Sequence, residues 1–208
     1  MLGAVLTSLL QVLVFSAVPF LIYVIRHRRI SGFLQFIGLY RPESRTLVWA
    51  TLAVLLVSPL LLWSFSLPGL RDMATGPATT VGLLRRVGPG LDGIMLLWLY
   101  AWVQTAFAEE IFFRGFLAQR LISRLGFAAG NLIQAGIFGA IHLMLFMALA
   151  GQTLTLPRSV MLFIIPGLIG WLLGYLNVKR GNGSILPGWW AHSLGNTIAF
   201  TIMAFVWK

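Results

Sequence analysis

The sequence predicts an all-α polytopic membrane protein, with about six transmembrane helices and a polar site inside the bundle. Three observations carry that reading. The chain is 59% hydrophobic over its 208 residues and only 10% charged, against roughly 25% charged residues in a soluble domain. Its mean hydropathy is +0.90. Its apolar residues fall in continuous runs, roughly 4–25, 46–67, 94–118, 128–150, 159–178 and 186–206, each near the ~20 residues an α-helix needs to cross the hydrocarbon core. None of these runs alternates with period two, as the strands of a membrane barrel would. The whole of 1–208 is read as one integral-membrane domain.

The first run has no basic stretch ahead of it and is followed by Arg26, His27, Arg28 and Arg29. A cleavable signal has the opposite charge order, so this helix is expected to be retained. Residues 33–40 read as a surface-lying segment before the second run. The connection 68–91 is the longest and is rich in Gly, Pro and Thr; its piece 81–87 reads as a short amphipathic turn in the membrane interface. The fourth and fifth runs hold small residues at four-residue spacing, Gly126/Gly130 and Gly170/Gly174, with Gly136 and Gly139 near His142. Such spacing fits close helix approach. Pro166-Gly167 predicts a kink in the fifth helix.

The net charge is +10, from 15 basic and 5 acidic residues. Five arginines lie between Arg26 and Arg45, Arg120 and Arg124 follow the third run, and Lys179-Arg180 follow the fifth. The other connections carry Arg71, Arg85 and Arg86, then Arg158, with Lys208 at the end. The positive-inside rule then places the first, third and fifth connections in the cytoplasm and both termini outside, in a cell membrane, plasma or inner. Charge distributed by loop is a pattern of topology and head-group contact, and no nucleic-acid partner is expected. The absence of cysteine excludes disulfides, thiolate metal sites and a cysteine nucleophile.

Against this background the third run contains Glu109, Glu110 and Arg114. A charge in hydrocarbon costs at least ~2.5–3.5 kcal/mol on insertion scales, so these residues are expected to face protein or a water-filled cavity. Glu110 and Arg114 are i,i+4 and can pair. Glu109 is rotated about 100° from Glu110, which leaves it free for chemistry. In the fourth run Gln134, Phe138 and His142 share a face; in the sixth, His192 and Asn196 are i,i+4. Under the proposed topology the depths of Glu109, His142 and His192 span roughly 10–20 Å, and modest tilts could join them in the cytoplasmic half of the bundle. A carboxylate near an imidazole can take a proton from water. A second imidazole beside an amide can donate to an oxyanion. Water attack on a peptide bond fits these parts. So does a Zn²⁺ ion held by Glu109, His142 and His192, and the residue types alone do not choose.

Together Glu109-Glu110-Ile111-Phe112-Phe113-Arg114, Phe138-Gly139-Ala140-Ile141-His142 and His192-Ser193-Leu194-Gly195-Asn196 resemble the EExxxR, FxxxH and HxxxN motifs of the CPBP family. These are intramembrane peptidases that include the CAAX prenyl endopeptidase. The resemblance covers about residues 94–206, the motif-bearing core. It implies that Glu109 is the general base, assisted by His142, that His192 and Asn196 stabilise the oxyanion, that Glu110 and Arg114 support the site, and that Phe138 shapes it. It implies a membrane-associated or lipidated protein or peptide as substrate. A metal-free, glutamate-based mechanism is preferred over Zn²⁺, because neither histidine motif places two ligands on one face as HExxH does. The chain is short beside the eight-helix CAAX endopeptidase. Two other readings use the same residue types. A non-catalytic membrane regulator or immunity protein on the same fold is opposed by the intact motifs. A proton- or ion-coupled transporter is opposed by the lack of internal symmetry.

Overall fold

A computed structural model describes residues 1–67, 69–150 and 155–207, with the backbone alone for Ser44, Leu149 and Ala150. All regular structure among these residues is helical. α1 is Leu2–His27, α2 Phe33–Phe36, α3 Ser44–Ser66, α4 Leu70–Thr75 and α5 Thr80–Val87. α6 starts as Leu91–Trp98 and continues through two wide π-helical stretches, Leu99–Phe107 and Glu110–Ala118, to residue 125. α7 takes residues 127–150. α8 is Leu156–Tyr175 with a wide last turn, Leu176–Arg180, and α9 is Leu186–Thr201 with a wide end, Ile202–Val206.

Among the described residues, four stretches are long and apolar enough to cross a membrane: Leu2–His27, Arg45–Ser66, Leu91–Ala148 and Leu156–Arg180. The third has 58 residues. As one straight helix it would measure roughly 87 Å, far beyond a hydrocarbon core of about 30 Å. Gly126 resolves the conflict, with a backbone at φ 77° and ψ 167° that no helix contains. The chain reverses there, and Gly130 lies so close to the backbone of Leu121 and Ile122 that a methyl group would collide. Five of the six expected segments are thus accounted for. The sixth, α9, is less apolar because it carries His192, Ser193, Asn196 and Thr197.

Leu6, Leu10, Leu13 and Leu21 of α1, and Leu52, Leu56 and Leu60 of α3, are more than half exposed. A continuous apolar surface of this kind is a membrane-contacting face, and the chain is an integral membrane protein. α9 lies at the centre, against α3, α8 and the first wide stretch of α6, while α7 packs along α8 and against the second wide stretch. Gly139 meets the backbone carbonyl of Phe163, and Gly174 meets the side chain of Asn131, with no room for a Cβ in either case. These two glycines serve close approach as the spacing predicted. Gly126 and Gly136 do not: Gly126 makes the reversal and Gly136 faces open space.

The first, third and fifth connections meet at one end of the bundle. Ile185 donates its N–H to Gly38 O at 2.8 Å, and the Gln119 amide donates to Gly183 O at 3.0 Å. Arg120 donates to Phe36 O at 3.1 Å, and the Tyr40 hydroxyl to Asn182 O at 2.7 Å. Residues 33–40 are therefore not a surface-lying segment throughout. Ile37 is buried, and its carbonyl presses on Gly115, where a Cβ would not fit.

At the opposite end, Val81 and Leu84 of α5 are buried with Leu97 and Met203. Arg85 donates to Met203 O at 2.8 and 3.0 Å and to Trp207 O at 3.0 Å. A cation on the last carbonyls of a helix satisfies groups left without partners and complements the dipole. This accounts for an arginine in a connection that the positive-inside pattern leaves unexplained.

Candidate active site

The wide turns of α6 place the acidic pair. Hydrogen bonding in such a turn runs five residues back, and Thr105 marks it by donating its hydroxyl to Tyr100 O at 2.8 Å. The sequence reads this stretch as an ordinary α-helix; the structure winds it more widely, yet the short-range pairing of Glu110 with Arg114 survives. Arg114 Nη1 lies 3.1 Å from Glu110 Oε1, both side chains being fully buried. The contact is one of charge, since no guanidinium nitrogen makes an aligned hydrogen bond among the described residues. The guanidinium also sits 4.1 Å from the centre of the Phe138 ring, a cation–π arrangement that desolvation strengthens.

Glu110 is enclosed on all sides. Its Oε1 also faces His192 Nδ1 at 3.3 Å, and its Oε2 accepts from Asn177 Nδ2 at 3.1 Å. Asn177 in turn accepts the Gly188 N–H at 2.6 Å. One asparagine near the end of α8 therefore ties the buried carboxylate to the first turn of α9, the helix that carries His192. A Cβ on Gly188 would lie 2.6 Å from Glu110 Oε2 and 2.5 Å from Asn177 Nδ2. Gly188→Ala is expected to cost about 1–3 kcal/mol by overpacking, read as a lowered thermal midpoint in detergent. An unchanged midpoint would show that this contact is not tight.

Glu109 has a different environment. It lines a cavity of about 470 Å³ together with Phe138, His142, His192 and Asn196. Among the described residues its Oε2 has no hydrogen-bond donor, and it lies 3.9 Å from His192 Nε2. His142 directs Nδ1 to Phe138 O at 2.8 Å. A carbonyl can only accept, so Nδ1 carries a proton, and in the neutral ring Nε2 keeps its lone pair. Phe138 separates the two polar layers, with Arg114 at 4.1 Å on the ring and His142 at 4.3 Å between ring centres. Asn196 donates one amide hydrogen to Thr105 Oγ1 at 2.8 Å, and its second N–H remains for another partner.

The structure thus brings Glu109, Phe138, His142, His192 and Asn196 to one cavity, with Glu110 and Arg114 buried behind it. Asn177 and Thr105 were not anticipated. Thr105 stands beside Gln104 and Asn177 lies two residues before Lys179-Arg180, so polarity within or at the end of an apolar run is the one signal the sequence offers. Among the described residues, no three His, Asp or Glu side chains form a group able to hold a metal ion. The Glu109, His142 and His192 set considered for Zn²⁺ is not assembled as ligands.

From the basic end the cavity runs along α3, α7 and α9, past Leu61, Leu145 and Ala199, to Phe65, Phe146 and Met203. Glu109, His142, His192 and Asn196 gather at one end, and beyond them the walls are mostly apolar, with Ser58, Thr79 and Thr80 among them. Fold and site together define a polytopic helical membrane protein with a carboxylate, histidine and amide centre at the head of an apolar cavity. Residues 91–198 match the family described as Type II CAAX prenyl endopeptidase Rce1-like. The match takes in all three motifs and just over half of the chain, which belongs to this family. No curated protein matches it, and no solved structure does.

Proposed function

We propose that the protein is an intramembrane endopeptidase that hydrolyses a peptide bond of a membrane-associated or lipidated substrate. The observation that carries this reading is the contrast between two neighbouring carboxylates. Both oxygens of Glu110 are taken by Arg114, His192 and Asn177, whereas Glu109 faces the cavity with Oε2 lacking a donor among the described residues. One carboxylate holds the site together and the other is available to water.

In the proposed reaction, water bound between Glu109 and His142 Nε2 gives its proton to Glu109 and attacks the scissile carbonyl carbon. The oxyanion receives hydrogen bonds from the second N–H of Asn196 and from Nε2–H of a doubly protonated His192 ring, whose Nδ1–H donates to Glu110. Collapse breaks the C–N bond, and the proton held by Glu109 passes to the leaving amine. Glu110 keeps His192 Nδ1 engaged, so that Nε2 is the nitrogen presented to the substrate. No step is routed through a metal, because the donors do not converge as a ligand set. The convergence of the basic connections supports placing the site in the cytoplasmic half of a plasma or inner membrane.

The test is cleavage of a lipidated peptide by purified protein in liposomes, with new termini identified by mass spectrometry. His142→Ala is expected to lower the rate by about 10²-fold or more, and a chelator series is expected to leave it unchanged. Full activity in His142→Ala would sink the assigned mechanism. Loss of activity to chelators, restored by Zn²⁺, would overturn its metal-free form.

A further inference from the structure

Two carboxamides in the cavity have no role in the proposed mechanism. Gln11 lies near the middle of α1, outside the region matched to the family, and Gln104 lies on the first wide stretch of α6. Both line the cavity that holds Glu109. Gln104 stands five residues before Glu109, one repeat of the wide winding, so the two share a face. Fully buried Ser8, one turn before Gln11, engages Gln104 Oε1 at 2.9 Å and steadies that side chain. Among the described residues, neither Gln104 Nε2 nor either polar atom of Gln11 has a protein partner. Polar groups at this depth in a membrane protein are costly unless something hydrogen-bonds them.

A carboxamide offers donor and acceptor side by side, as a peptide main chain does. A hydrocarbon chain offers neither. The walls at Leu61, Phe65, Leu145 and Phe146 suit apolar groups. We infer that Gln11 and Gln104 form a main-chain binding subsite, which holds an extended peptide segment beside the scissile bond through its backbone N–H and C=O groups. This deepens the peptidase reading and rests on it. Recognition at this position is of peptide backbone and not of side chains, and α1 is part of the binding site.

The experiment measures binding in detergent by tryptophan fluorescence, in the Glu109→Gln background so that no probe is cut. The probes are N-palmitoyl pentaalanine amide, the same compound methylated on its backbone nitrogens, and hexadecane. Gln11→Leu with Gln104→Leu is expected to raise Kd for the pentaalanine probe by about tenfold, two modest hydrogen bonds' worth. Hexadecane is expected to bind both proteins alike, which also verifies that the variant is folded. If it is not, Gln11→Met with Gln104→Met takes its place. Without any substitution at the glutamines, backbone methylation is expected to weaken binding by a similar factor. Equal Kd values for the methylated and unmethylated probes, or an unchanged Kd in the double variant, would overturn the subsite. Cleavage of the unmethylated probe by the wild type, seen together with those results, would leave the peptidase reading standing while the subsite fell. Absence of cleavage with the expected binding pattern would do the reverse.

Discussion

Glu109→Gln is expected to lower peptide hydrolysis by about 10²–10⁴-fold, the range that general acid–base catalysis supplies, while the protein folds normally. The substitution keeps the shape of the side chain and removes only its ability to take a proton. Glu109 faces the cavity and is not enclosed by the ion pair behind it, so a neutral amide there leaves Glu110, Arg114 and Asn177 undisturbed. The same change at Glu110 would act through structure, by weakening the hold on His192 Nδ1. The measurement is a pair of curves for each protein, turnover in liposomes and thermal unfolding in detergent. A wild-type rate in Glu109→Gln would remove Glu109 from the mechanism. A large fall in its unfolding midpoint would reassign it to the fold.

Arg114→Leu is expected to have the largest effect on stability. It leaves the fully buried Glu110 carboxylate without its cation, 3.1 Å away in the native protein, and breaking a buried pair in this way costs about 3–5 kcal/mol. That is a large part of a total stability of roughly 5–15 kcal/mol. It also removes the guanidinium from the Phe138 ring, at 4.1 Å. The diagnostic companion is Glu110→Gln with Arg114→Leu, which removes the stranded charge along with its partner. The double variant is expected to unfold at a higher temperature than Arg114→Leu alone, although Asn177 and His192 lose an ionised acceptor. If the single variant unfolds like the wild type, the pair does not hold these helices together.

The Glu110–Arg114 pair was legible because it depends only on spacing within one helix, and an i,i+4 relation tolerates the wider winding. The lipid-facing runs were legible because hydrocarbon admits so few residue types. Other features depend on contacts that no local pattern carries. Asn177 meets Glu110 across 67 positions of sequence, and its neighbours Lys179 and Arg180 make it resemble the polar start of a connection. The wide turns at 99–118 leave no mark in a stretch whose composition suits an α-helix equally well. Gly126, Gly136 and Gly139 look alike as small residues, but a reversal, open space and a close helix contact separate them. Gln11 was passed over because a single amide in an otherwise apolar helix has no motif around it.

α9 is fastened at both ends. Its first turn is held where Gly188 donates to Asn177, and its last carbonyls are held by Arg85. A beam pinned at both ends bends little, so His192 and Asn196 stand on a stiff support. The opposing wall differs in construction: toward the far end of the cavity, the ring contact of Phe65 with Phe146, 6.4 Å between centres, spans α3 and α7. In the proposed reaction the oxyanion donors therefore ride on a helix fixed at both ends, and it is the apolar side chains of the opposing wall that a bulky chain would displace.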